Sequence, residues 1–163
     1  EIFPLPKPYT FDGKDMLKVP GLDGSGKMGK SEGNAINLYE DPKDIRKKVM
    51  RAVTDSGPTE PNQPKTEPVE NLFTLLKIVS TPDTVAHFDA LYNNCEIRYG
   101  DLKKQLAEDI IAYTAPIRDR IIENLKDEAY LGRVAKLGAE KARESAARTL
   151  QEVKEVIGFK RLF

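Results

Sequence analysis

The stretch Gly24-Ser25-Gly26-Lys27-Met28-Gly29-Lys30-Ser31 decides how the 163-residue chain is read, because it fits two phosphate-binding patterns that belong to different folds. One is the P-loop, G-x-x-x-x-G-K-S, which Gly24, Gly29, Lys30 and Ser31 match at every specified position. A P-loop joins a strand to a helix, so that loop amides and the helix dipole face the phosphate together. That context is missing here. Gly33 stands two residues after Ser31, and the residues from Asn34 to Tyr39 alternate in the extended manner. Val19-Pro20-Gly21 interrupts a strand just ahead of the loop, and no later apolar run ends in an acid suited to magnesium. A P-loop kinase or NTPase therefore stays only as an alternative, one that predicts nucleotide binding by this chain itself.

The other pattern is the pentapeptide Lys27-Met28-Gly29-Lys30-Ser31, two ammonium groups three positions apart in a stretch punctuated by Gly21, Gly24, Gly26 and Gly33. Such a pair on a pliable loop can follow negative charge as it moves onto a departing phosphate. One contact aimed at developing charge is typically worth roughly 3–4 kcal/mol. The plainer reading of the same residues is a surface glycine loop with two solvated lysines.

Composition narrows the classes. Lys+Arg and Asp+Glu both number 26, so the whole chain carries no nucleic-acid signature and any RNA contact must come from a local patch. A single cysteine, Cys95, allows no intrachain disulfide and no cysteine-based metal cluster, and no metal ligands are expected. No apolar run approaches the roughly 20 residues of a membrane span, and no signal peptide opens the chain. The chain opens on Glu1, which suggests a piece of a longer protein.

Outward from the loop, Met16 to Val19 predicts a short strand, and Pro4, Pro6 and Pro8 predict irregular structure before it. Asp41 to Val53 predicts a helix capped by Asp41 with Pro42 in its first turn. Ile45, Val49, Ala52 and Val53 would face a core, and Lys43, Lys47 and Arg51 would form a basic row, either a solvated face or one turned to RNA. Residues from about 56 to 68 carry four prolines and predict an extended, exposed linker. Beyond it the spacing gives helices over Val69–Val79 and from Pro82 to about Asn93. Leu102, Leu106, Ile110, Tyr113, Ile117, Ile121 and Leu125 predict a long helix, kinked or broken near Tyr113 by Pro116. From about Asp127 to Ile157 a last helix carries a stripe of Leu131, Ala135, Gly138, Ala142, Ala146, Thr149, Val153 and Ile157, whose small middle residues would let another helix approach closely, the long one in antiparallel given the short connection, and Gly158 ends it. His87 and Cys95 read as structural or exposed residues, with Cys95 a small packing residue after a helix end.

The pentapeptide resembles the KMSKS loop of class I aminoacyl-tRNA synthetases, and its flanks resemble the bacterial tryptophanyl members of that class. The blocks that carry the likeness are Leu22-Asp23-Gly24, Asn34-Ala35-Ile36-Asn37-Leu38, Asp41-Pro42, Ile45-Arg46-Lys47-Lys48-Val49, Ala52-Val53-Thr54-Asp55-Ser56 and Gly138-Ala139-Glu140-Lys141-Ala142-Arg143. They run from about Val19 to Gly158, weakest between Glu60 and Tyr99. The family usually has Ser where Gly29 stands, which removes one hydroxyl and keeps a backbone N–H.

The resemblance implies a mainly α fold: a helical bundle of the anticodon-binding type over residues 41–163, preceded by an irregular tail and signature loop, 1–40, that end a Rossmann-like catalytic domain. It implies ATP and Mg2+, L-tryptophan, and tRNA(Trp) as the acceptor, in a cytoplasmic homodimer. Lys27 and Lys30 would contact the ATP phosphates and the leaving pyrophosphate, Met28 and Gly29 would lie along the nucleotide through backbone atoms, and Ser31 would be a phosphate partner. Lys47 and Arg51 become candidates for tRNA contact. The family's HIGH-like motif has no counterpart, since the only histidine is His87. The chain alone is therefore expected not to activate tryptophan. A tyrosyl-tRNA synthetase fragment and a non-catalytic helical adaptor remain as alternatives.

Overall fold

The computed structural model describes Leu5 and residues 18–159. The expected strand falls largely on Met16 and Leu17, outside the described residues, and Lys18 and Val19 have no regular structure. Five helices make up the order α1 Pro42–Met50, α2 Glu67–Val79, α3 Pro82–Asn93, α4 Tyr99–Leu125 and α5 Glu128–Val156, with no strand among the described residues. The mainly α expectation holds. The chain divides into two compact units, Glu1–Pro116 and Ile117–Phe163, a partition that falls elsewhere than the expected boundary at 40/41.

In the first unit α1 starts as its residues dictate. The Asp41 carboxylate accepts the Lys43 N–H at 2.8 Å, Pro42 fills the first turn, and Ile45 and Val49 are buried. The helix ends at Met50, earlier than the predicted Val53. Ala52 is buried as expected, but Val53 is exposed, because its N–H leaves the helical path to bond the Leu22 carbonyl at 3.0 Å. Tertiary pairing outweighs the continuation of the spacing.

Helix α2 brings Val69, Leu72, Phe73, Leu75 and Leu76 into the core, and α3 adds Phe88 and Tyr92. At the end of α3 the Cys95 N–H bonds the Tyr92 carbonyl and the Glu96 N–H bonds that of Leu91, a left-handed cap with Cys95 at φ 58°. Cys95 is exposed there and fills a turn position in place of the expected packing role. His87 is exposed, its ring edge-on to Phe88.

Helix α4 buries Leu102, Leu106, Ala107 and Ile110, then continues through Pro116 to Leu125, so of the expected kink or break near Tyr113 the break does not occur. Pro116 deprives the Ala112 carbonyl of its helical donor, but Ala112 is exposed and water can take that bond. The predicted apolar stripe is buried only in its first half: Tyr113 is 52% and Leu125 61% exposed.

The proline-rich segment behaves as part of this unit rather than as a free connector, because polar anchors hold it. Asp55 accepts the Tyr99 hydroxyl at 2.6 Å, the Thr66 hydroxyl at 2.5 Å and the Gly57 N–H at 2.8 Å. Burial alone would raise the Asp55 carboxyl, yet the bonds from Thr66, Tyr99 and Gly57 outweigh it and hold it below the usual value. The Lys65 ammonium pairs with Asp89 at 2.6 Å and lies 4.6 Å from the Phe73 and 4.7 Å from the Tyr92 ring centroid.

The second unit comprises the last turns of α4 and α5. The Asp127 carboxylate caps α5 through the Tyr130 N–H at 2.8 Å, and Gly158, at φ 74°, ends it as predicted. No residue of α5 is buried, so among the described residues nothing covers the small-residue stripe that predicts a close helix neighbour.

Candidate nucleotide-phosphate loop

The loop is built from its base upward. Leu22, 7% exposed, inserts into the same core as Ile45, Val49, Leu72 and Leu106, and its backbone receives the Val53 N–H and gives its own N–H to Asn34 at 3.1 Å. The chain then turns through Gly24, at φ 86°, where a Cβ would also press on Pro68 at 3.2 Å. Met28 returns to the body. Its N–H bonds the Val19 carbonyl at 2.7 Å and its side chain packs on the core. Lys27 and Lys30, on either side, stay exposed, as does Ser31, whose hydroxyl lies 3.3 Å from Glu32 Oε1. Two cations thus flank one anchored residue.

After Ser31 the chain makes a turn and then extends, and the next helix begins only at Pro42. Residues 31–34 do not wind into a helix, so the P-loop geometry is absent and that alternative falls. Gly29 has no positive φ, and a Cβ there would meet only the movable Glu32 side chain at 2.9 Å, so the backbone has room for the serine usual in the resembling loops.

Lys18, Asp23, Ser25, Lys27, Ser31 and Glu32 line an open depression of about 520 Å³ beside the loop. Asp23 accepts the Ser25 hydroxyl at 2.7 Å, the Asn34 amide at 3.0 Å and the Ser25 N–H at 3.0 Å. The Ser25 hydroxyl first, then the Asn34 amide and Ser25 N–H, hold its carboxyl below the ordinary value of 3.8. A depressed carboxyl adds order above its ordinary value and loses that contribution as the pH falls through the lower folded one. The network is therefore complete at neutral pH.

Of the residues expected at the site, Lys27, Met28, Gly29, Lys30 and Ser31 come together in this loop. Lys47 on α1 and Arg51 at its C-cap sit apart from the loop residues in sequence and are exposed, as is Lys43. The ion pairs of that helix go through its other cations: Arg46 grips Glu108 with two bonds at 2.6 and 2.8 Å, and Lys48 meets Glu40 at 2.5 Å and the Ala35 carbonyl at 3.0 Å. Sequence reasoning missed Asn34, Asp23 and Asn71. Asn71, on α2, donates to the carbonyls of Gly24 at 3.0 Å and Ser25 at 3.1 Å. The signal for Asn34 was a polar residue between the glycine Gly33 and the partly buried Ile36; Asn71, next to a run of core residues, gave a weaker one.

The glycine stretch presents two exposed lysines from an α-helical body, with no P-loop helix behind it, which is compatible with a signature loop and not with a P-loop. The family model of class I tRNA synthetases (W and Y) matches residues 1–114, and the chain belongs to that family. It is 65% identical over 160 residues to the tryptophan–tRNA ligase of Porphyromonas gingivalis, covering 98% of this chain and 49% of that protein. It is 38% identical over 160 residues to the tryptophan–tRNA ligase of Rhodopirellula baltica, covering 98% and 48%. The chain spans about half the length of these curated relatives. The tryptophanyl-tRNA synthetase of Campylobacter jejuni, solved with ADP and tryptophan, superposes with a TM-score of 0.68 at 29% identity, over 90% of this chain and 45% of that one.

Proposed function

We propose that the chain is the signature loop and helical part of a tryptophan–tRNA ligase. Residues 1–40 would close the nucleotide-binding domain and residues 41–163 carry the tRNA-binding helices. The observation behind this reading is the pair of exposed ammonium groups bracketing the core-packed Met28, in a chain 65% identical to such a ligase. In the reaction the carboxylate of L-tryptophan attacks the α-phosphate of ATP and pyrophosphate leaves, so negative charge grows on the leaving group. Lys27 and Lys30 are set to neutralise it, and Ser31 offers a hydroxyl to the same phosphates. The N–H groups of Met28 and Gly29 are engaged by Val19 and Asn34, so the nucleotide would meet these residues through other backbone atoms unless those bonds open. A hydroxyl of tRNA(Trp) then takes the tryptophanyl group and AMP departs.

Magnesium would enter with the nucleotide. No group of three His, Cys, Asp or Glu side chains suited to a metal occurs among the described residues, so phosphate oxygens and water would supply most of its ligands. None of the described helices is long and apolar enough to cross a membrane. The reading carries with it a cytoplasmic enzyme acting as a homodimer.

ATP–pyrophosphate exchange by the full-length protein is the test. Exchange should depend on tryptophan and not on tyrosine, and the 163-residue chain alone should stay at the blank; tyrosine-dependent exchange would assign the other amino acid. Reversing Lys47 and Arg51 to glutamate should weaken tRNA(Trp) binding and lower the salt slope by about one per lost phosphate contact. An unaltered slope returns that row to a merely solvated face.

A further inference from the structure

Asn34 is the most buried polar residue of the loop region, at 5% exposure, and its amide is used on both sides. Its Oδ1 accepts the Gly29 N–H at 2.9 Å, and the two hydrogens of its Nδ2 are shared among the Lys27 carbonyl at 3.1 Å, the Ser25 hydroxyl at 2.9 Å and the Asp23 carboxylate at 3.0 Å. The backbone partners fix which way the amide points, since an N–H can only donate and a carbonyl can only accept. One side chain thus holds the main chain immediately before and after Met28.

The nearest residue types do not satisfy these demands. Aspartate keeps the acceptor for Gly29 but has no hydrogen for the Lys27 carbonyl, and it would set a second carboxylate against Asp23. Glutamine carries one methylene more into a space already closed by Gly21, where an added Cβ would lie 2.4 Å from Nδ2 of Asn34. The surrounding pieces make the hold stiff. Asn71 fixes the carbonyls of Gly24 and Ser25 from α2, and Leu22 seats the entering segment of the loop in the core. The lysine side chains themselves remain in solvent.

We propose that Asn34 is a positioning residue for the reaction: by clamping the backbone at Lys27 and Gly29 it sets where the two ammonium groups stand when charge develops. This rests on the tryptophan–tRNA ligase reading, and it adds a residue that itself touches neither nucleotide nor amino acid. Loss of the clamp should act on turnover more than on substrate binding, because the lysines serve charge that appears only as the reaction proceeds.

The test has a mechanical and a kinetic arm, each run on Asn34→Ala and on Asn34→Asp. In the 163-residue chain, tryptic cleavage after Lys27 and Lys30, followed by mass spectrometry, should quicken in both variants, while circular dichroism stays that of the parent. In the full-length protein, kcat for tryptophan-dependent pyrophosphate exchange should fall about ten- to hundred-fold with KM for ATP within about threefold. Asn34→Asp keeps the Gly29 acceptor but turns carboxylate oxygen toward Asp23 and the Lys27 carbonyl, so at neutral pH its loss should be at least as large as that of Asn34→Ala. Faster cleavage with unchanged kcat overturns the proposal, as does an unchanged cleavage rate. A rise in KM alone overturns it as well, since that would make Asn34 a contributor to ground-state binding. If Asn34→Ala unfolds the chain, the Asn34→Asp pair of measurements decides. Lack of exchange in the parent protein overturns the ligase reading and the kinetic claim with it, and faster cleavage would then still support the clamp.

Discussion

Replacing Lys27 and Lys30 together by alanine in the full-length protein should reduce tryptophan-dependent pyrophosphate exchange by on the order of a thousand-fold or more, since one donor aimed at developing charge accounts for about 10²–10³ in kcat. On the proposed reading the two act on one leaving group, so their joint loss should fall short of the product of the single losses. The variant should fold as the parent does. Both side chains are exposed and neither has an ion pair with the described residues, so the thermal midpoint should stay within about 2 °C, as expected for surface changes. Arginine at either position keeps the charge but not the compact ammonium, and should recover part of the rate. Exchange within tenfold of the parent would leave the loop without its assigned role.

The largest effect on stability is expected at Phe73, which is 1% exposed at the centre of the first unit. Its ring meets Tyr92 edge-on, with centroids 6.1 Å apart, and supports the Lys65 ammonium that is paired with Asp89. Phe73→Ala removes the ring, opens a cavity and leaves Lys65 with one aromatic neighbour in place of two, a loss of about 3–5 kcal/mol. Against a total of about 5–15 kcal/mol for an ordinary domain, that is a large share. Leu137→Ala on α5, at a site 53% exposed, should change stability by no more than about 0.5 kcal/mol. Urea unfolding of the two variants side by side checks both values. A Phe73→Ala midpoint equal to the parent's would contradict the core described here.

Much of the helical framework was legible because its signals are local. The Asp41-Pro42 and Thr81-Pro82 pairs start α1 and α3 where cap chemistry puts them, and Gly158 stops α5 where a left-handed residue is needed. The errors arose where distant parts of the chain decide. Val53 leaves its helix for the Leu22 carbonyl, and the prolines between 56 and 68 are tied down by Asp55, Tyr99 and Lys65, none of which the composition of that segment reveals. Pro116 was given too much weight, since a helix already anchored by Leu102, Leu106 and Ile110 tolerates one missing bond at a wet carbonyl.

At the site the division is similar. Lysines and glycines at fixed spacing make the loop a candidate for phosphate, and the residues Gly33 to Tyr39 argue against the P-loop from their pattern alone, as the absence of a helix before Pro42 bears out. The groups that shape the loop, Asn34, Asp23 and Asn71, meet only through folding, across separations that no periodicity reports. Their residue types are ordinary turn and surface types, so beyond the weak signals at Asn34 and Asn71 nothing marks them in advance.

The seating of Leu22 among Ile45, Val49, Leu72 and Leu106 has a practical meaning for anyone wishing to transplant this loop. A cut at residue 40 would withdraw a buried leucine, strand the Val53 amide and abandon the grip of Asn71, harming donor and recipient alike. Loop and helices are one inheritable piece: whatever melts the host also dissolves the placement of its lysines, and heat inactivation of the loop should follow the core's own melting curve.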